Sequence, residues 1–177
     1  MSNEGEGPVP EPDDEWVVAA FHQGGHAVAA VMRGGESSLA AVTLDDHVCG
    51  GFPWARYKRW DEAFIIWAGI WAEARHAWEH RPADEKDDLD DYVTRVLVAQ
   101  LGESDDYARA VAAHDAEMPP PPETDVSALR SVSEREVWPL ELERVWPAIE
   151  RVAALLLAGE PVTYVVVRDI IDRYRQE

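Results

Sequence analysis

The residues in this chain best equipped for chemistry are His22-Gln23-Gly24-Gly25-His26, inside Phe21-His22-Gln23-Gly24-Gly25-His26-Ala27-Val28. Histidines four apart share one face of a helix, one turn from each other. Both imidazoles can therefore reach a single divalent ion. This is the spacing of the His-Glu-x-x-His zinc-peptidase signature, in which the Glu is the general base that takes a proton from zinc-bound water. Gln23 stands at that position. An amide keeps the size and hydrogen-bonding shape of the acid, but it cannot accept and release a proton near neutral pH. The segment reads as a metal-site scaffold whose base has been removed.

The elements that must position these groups follow from periodicity. Asp13 or Asp14 caps a helix running to about Met32, with an apolar stripe of Val17, Ala20, Phe21, Gly24, Val28 and Val31. Gly24 and Gly25 cost that helix about 1 kcal/mol each against Ala, which implies close approach by another element or space for a metal. Gly34-Gly35 ends it. Residues 39–44 read as a strand, Asp45-Asp46 as a turn and residues 47–52 as a glycine-broken second strand, together a small hairpin or sheet. A central helix over 60–79 carries Trp60, Phe64, Trp67, Trp71 and Trp78 on one face and Ile65, Ala68, Gly69 and Ala72 on another, with Glu73 in its midst.

After the Arg81-Pro82 break, six acids from Asp84 to Asp91 crowd the start of a third helix, whose buried stripe is Leu89, Val93, Leu97 and Leu101 and whose stop is Gly102. Ser104 caps a short helix to about Glu117, and Pro119 to Pro122 form a stiff link. Ser133 and Glu136 form a capping box for a long helix to Ala158, bent at Pro147 and closed by Gly159. Thr163 caps a final helix through Arg175. Residues 1–12 are expected to be a disordered arm and 13–177 a single domain.

Bulk composition narrows the function classes. At 177 residues and 46% apolar, with eight tryptophans, the chain can bury one real core. A net charge of -19 disfavours nucleic-acid backbones and anionic membrane surfaces. Cys49 is the lone cysteine, so an intrachain disulfide is excluded and a reducing, cytoplasmic compartment fits. The acidic start lacks the basic region of a signal peptide, and the longest apolar run, 63–72, is too short to span a bilayer.

Four segments together carry a family resemblance. Phe21-His22-Gln23-Gly24-Gly25-His26-Ala27-Val28 resembles the His-Glu-Ala-Gly-His-Ala peptidase motif of the FtsH family, and Val42-Thr43-Leu44 with Gly50-Gly51 resembles the strand pair after it. Ala68-Gly69-Ile70-Trp71-Ala72-Glu73-Ala74 resembles that family's Gly-Gly-Arg-x-Ala-Glu-Glu helix, and Asp88-Leu89 falls where it has Asn-Asp-Leu. The likeness runs from about Trp16 to Leu101. It implies a mainly α, zincin-like FtsH peptidase-domain fold with a small β-hairpin or sheet, and zinc held by His22, His26 and Asp88, with Asp87 and Asp91 as rivals for the third place. Gln23 departs from the family at the base. The sequence has no Gly-x-x-x-x-Gly-Lys-Ser/Thr loop, so the ATPase module of full-length members is not expected in it.

The remaining candidates are weighed against plainer roles. The acidic cluster by default is a solvated helix start favoured by the helix dipole. Glu73 is a paired acid, an orienting acceptor for a ligand histidine, or a substitute base. His47, His76, His80 and His114 lack motif spacing, no base is placed beside Cys49, and the Trp stripe is core packing first. Two function classes result. The preferred one is a non-catalytic relative binding a peptide or protein partner, with or without zinc, the peptide lying along the edge of the small sheet. The alternative is an active zinc metallopeptidase using a substitute base such as Glu73.

Overall fold

The computed structural model describes residues 14–35, 42–44, 61–101 and 134–175. Six α-helices make up almost all of them: α1 (Asp14–Met32), α2 (Glu62–Glu79), α3 (Leu89–Leu101), α4 (Glu134–Glu143), α5 (Trp146–Leu157) and α6 (Tyr164–Tyr174). The mainly α expectation holds. α1 and α2 form the central pair; α5 and α6 cover α1, while α3 and α4 pack on α2.

The two adjacent glycines of α1 face two different neighbours. A Cβ on Gly24 would sit 3.3 Å from the Ile149 carbonyl oxygen of α5. A Cβ on Gly25 would overlap the Ala68 carbonyl oxygen of α2 and lie 2.8 Å from the Ala72 Cβ. Successive residues on a helix point about 100° apart, so the pair lets α1 approach a helix on each side. Close approach by neighbouring helices accounts for the glycine cost that the sequence left open.

The tryptophans fill the other side of the core. Trp67 and Trp71 of α2 meet Trp138 of α4 at 5.6 Å and Trp146 of α5 at 5.9 Å, centroid to centroid, and Phe64 meets Trp138 at 5.4 Å. Two arginines bind α4 to the central pair. Arg33 donates to Glu141 at 2.6 Å and lies 3.9 Å over the Phe64 ring; Arg75 donates to Glu143 at 2.8 Å and lies 4.8 Å over the Trp146 ring.

Helix ends follow the sequence signals closely. Gly34 and Gly159 are left-handed, at φ 74° and 70°. The next N–H donates five residues back in each case, Gly35 to Ala30 and Glu160 to Leu155, which satisfies carbonyls the helix leaves orphaned. The Thr163 side chain accepts from Val166 N–H at the start of α6.

Two expectations change. The long helix over 134–158 is two helices, because the chain leaves helical geometry at Arg144 and Val145 and Pro147 opens the first turn of α5, where its missing N–H costs nothing. α3 begins at Leu89, after a separate 3-10 turn, Ala83–Glu85. Among the described residues the only β pairing is an antiparallel bridge of Val42 with Val162. The expected second strand, the helix from Ser104, the proline link, Ser133 and residues 1–12 lie outside the described residues.

Candidate functional site

His22 and His26 stand one turn apart on α1 and converge. Their Nε2 atoms are 3.0 Å apart, with the rings edge to face. Each ring is held by its other nitrogen. His26 Nδ1 lies 2.6 Å from the Ile65 carbonyl oxygen of α2, and His22 Nδ1 lies 3.2 Å from Glu73 Oε2, about two turns further along the same helix. Glu73 Oε1 in turn accepts from Gln100 of α3 at 2.9 Å. Three helices thus meet in one hydrogen-bonded chain.

Proton bookkeeping shows what this chain can do. A carbonyl only accepts, so His26 Nδ1 carries a hydrogen. Burial, with the His22 charge beside it, pushes His26 down to about 3, so the ring is neutral and its Nε2 presents a lone pair. Burial pushes the Glu73 carboxyl up, but hydrogen bonds from His22 and Gln100 and the His22 charge outweigh it and hold Glu73 below the ordinary carboxylate range. An ionised carboxylate also only accepts, so His22 Nδ1 carries a hydrogen too. Both Nε2 atoms are then left to face each other. Two lone pairs at 3.0 Å repel, unless a cation is shared between them: a proton on His22, or a metal ion.

The donor set fits a metal in part. Ligand histidines characteristically donate their other N–H to a carboxylate or backbone carbonyl, as both rings do here. Two nitrogens bound to one tetrahedral zinc at about 2.0–2.1 Å lie roughly 3.3 Å apart, close to the separation seen. The third place is a different matter. Among the described residues no three His, Cys, Asp or Glu side chains are grouped to hold a metal ion. Asp88 Oδ1 accepts from the N–H groups of Asp90 and Asp91, and so caps α3. Asp87 pairs with Arg95, whose hydrogen bond holds its carboxyl below the usual range, and Asp91 is exposed. Asp88 thus serves the helix start, the plainer of the readings of this cluster.

Gln23 is half-buried beside the pair on α1. Glu73 meets His22 at Nδ1, the ring nitrogen remote from the Nε2 pair, which is an orienting position. His22 and Glu73 side chains are each 22% exposed, so solutes can reach the chain of groups. His47, Cys49 and His114 lie outside the described residues. His76 and His80 meet at 4.2 Å with their rings tilted and belong to a different cluster, where His76 stacks on Phe21 at 3.8 Å. Two contributors carried no motif signal, the Ile65 carbonyl and Gln100; a third, Gly69, lies within the Ala68–Ala74 segment but was not singled out there.

No family model, curated protein or solved structure matches this chain. Among the described residues no helix is long and apolar enough to cross a membrane.

Proposed function

We propose that this protein is an FtsH-type metallopeptidase-like protein that holds zinc on His22 and His26, lacks a working general base, and acts by binding a peptide or protein partner. The observation carrying this reading is the convergence of the two Nε2 atoms at 3.0 Å while each Nδ1 faces an acceptor, Glu73 or the Ile65 carbonyl. That arrangement fixes the tautomers a ligand pair needs. The resemblance of the His22–His26 and Ala68–Ala74 segments to the family supports the same roles.

Zinc, when bound, supplies a Lewis acid able to polarise a peptide carbonyl. The residues of the chain divide the remaining work. His22 and His26 hold the ion, Glu73 keeps the His22 ring in register, and Gln100 holds the Glu73 carboxylate. Gln23 can donate a hydrogen bond to a bound carbonyl or accept one from an amide, but it moves no proton. With two donors among the described residues, coordination positions remain for a carboxylate or carbonyl brought by the partner. The alternative, a peptidase with Glu73 as substitute base, is less well supported, because Glu73 is committed to Nδ1 on the far side of His22.

Calorimetric titration with zinc of tag-free wild type and His22→Ala tests the metal role; saturable binding by wild type and its loss in the variant are expected. Identical isotherms would overturn it. Cleavage of unfolded casein with added zinc tests the catalytic part. Wild type is expected to be inert, and Gln23→Glu to recover up to the roughly 10²–10⁴ in rate that a positioned base supplies. Robust, chelator-sensitive cleavage by wild type would overturn the non-catalytic reading.

A further inference from the structure

The His26 ring lies on a bare patch of α2. A Cβ built on Gly69 would sit 2.5 Å from both Cε1 and Nε2 of His26 and 2.8 Å from Cδ2. Real side-chain contacts stop well outside these distances, so a methyl there and the ring in its present place exclude each other. The same absence has a second effect. Helical side chains tilt toward the N-terminus, so a residue at 69 covers the turn that ends at the carbonyl of residue 65. With glycine at 69 that carbonyl is open, and it is the one His26 Nδ1 contacts at 2.6 Å. A carbonyl oxygen has two lone pairs, so it serves the helix and the histidine together.

We propose that Gly69 is the positioning residue of this site. Its missing side chain supplies both the floor on which the His26 imidazole rests and access to the acceptor that sets the ring's tautomer, and so directs His26 Nε2 onto His22 Nε2. The inference deepens the metal-centre reading, but its geometric content does not depend on zinc. It also distinguishes Gly69 from the glycines of α1. Gly24 and Gly25 meet helix backbone and the methyls of Ile149 and Ala72, whereas the three nearest atoms at Gly69 all belong to one imidazole.

The test uses the full chain in zinc-free form. Long-range 1H–15N spectra of the histidine rings are expected to show His26 in wild type protonated at Nδ1 and bare at Nε2. Gly69→Ala is expected to lose that signature, and Gly24→Ala to keep it. Zinc affinity should fall about 10- to 100-fold in Gly69→Ala, the usual cost of losing a group that orients a ligand.

Stability supplies the second readout. In the His26 background the Gly69→Ala methyl should lower the folded-to-unfolded ratio by about tenfold or more, the effect of overpacking. In a His26→Ala background it should be neutral or favourable. A Gly69→Ala protein that keeps the His26 nitrogen signature would overturn the proposal, and so would a methyl equally costly with and without the imidazole. If Gly69→Ala alone does not fold, refolding of Gly69→Ala/His26→Ala supports the assignment and its failure to refold rejects it. Wild type that shows the signature yet binds no zinc would reject the metal reading alone.

Discussion

Glu73 Oε2 and the Ile65 carbonyl hold the two imidazoles by the same device, an acceptor on Nδ1, but the two acceptors are not equal. The carbonyl is part of α2 and cannot turn away. The carboxylate is a side chain at a half-open seam, steadied by Gln100 at 2.9 Å. Substituting Glu73 therefore isolates the orienting role. Glu73→Gln keeps the size and one acceptor oxygen but removes the charge that favours a hydrogen on His22 Nδ1. Zinc affinity is expected to drop about 10- to 100-fold while the unfolding midpoint stays near that of wild type. A zinc isotherm unchanged from wild type would mean that Glu73 does not orient His22.

At the scale of elements, the seam between α1 and α2 depends on side chains that are missing. Gly25 lets α1 lie against the Ala68 carbonyl and the Ala72 methyl, while at Gly24 the approach of α5 is less close, 3.3 Å from a would-be Cβ to the Ile149 carbonyl oxygen. Ala gains about 1 kcal/mol over Gly in helix propensity, which sets a common credit for both substitutions. At Gly24 the shift needed is a few tenths of an ångström, so Gly24→Ala should change stability by no more than about 1 kcal/mol. At Gly25 the obstacle is helix backbone, which cannot rotate aside, so Gly25→Ala should destabilise by about 3 kcal/mol or more. Urea unfolding of the two variants side by side checks this. Equal stabilities would mean that α1 and α2 are not held this closely. Zinc affinity should fall in Gly25→Ala as well, because His22 and His26 ride on α1 and their acceptors on α2.

For the molecule as a whole, the same packing makes stability depend on pH through a histidine outside the site. His76 is stacked on Phe21 with the His80 ring tilted against it, and its Nδ1 is buried without a hydrogen-bond partner. Burial and the His80 charge push it from 6.5 to about 4, with Glu79 opposing. The unfolded chain therefore takes up a proton between those values that the folded chain refuses. The stability His76 contributes is complete above about pH 6.5 and is lost as pH falls toward about 4. After discounting for its partial exposure the effect is on the order of 1 kcal/mol. His76→Phe keeps the stack on Phe21 and removes the titration. Denaturant unfolding at pH 7.5 and 5 should show wild type losing more stability than the variant over that interval. Equal losses would place the acid sensitivity elsewhere, for example at His26, whose shift has the same sign and is present in both proteins.

What the sequence by itself determined was local. Spacing put His22 and His26 on one face, and glycine and threonine signals marked the ends of α1, α5 and α6, because capping is decided within five residues of the end. Periodicity located the α2 core helix and its tryptophans. Glu73 was picked out because an acid amid an apolar helix needs a partner; a ligand histidine stood among the alternatives, but which of them it met was not legible. Only the tertiary structure decided the rest. Asp88 was matched to a ligand place by its likeness to Asn-Asp-Leu and its distance along the chain; its use in capping α3 is what the structure added. The break at Arg144 and Val145 falls just before Pro147, where a bend was expected, but that the chain leaves helical geometry there was not legible. The roles of Ile65 and Gln100 arise across helices, between residues 39 and 27 apart in the chain, and that of Gly69 arises against His26 on α1. A carbonyl has no side-chain identity to read, and a glycine announces that something comes close without saying what. Here what comes close is an imidazole, and only the crossing of α1 over α2 brings it there.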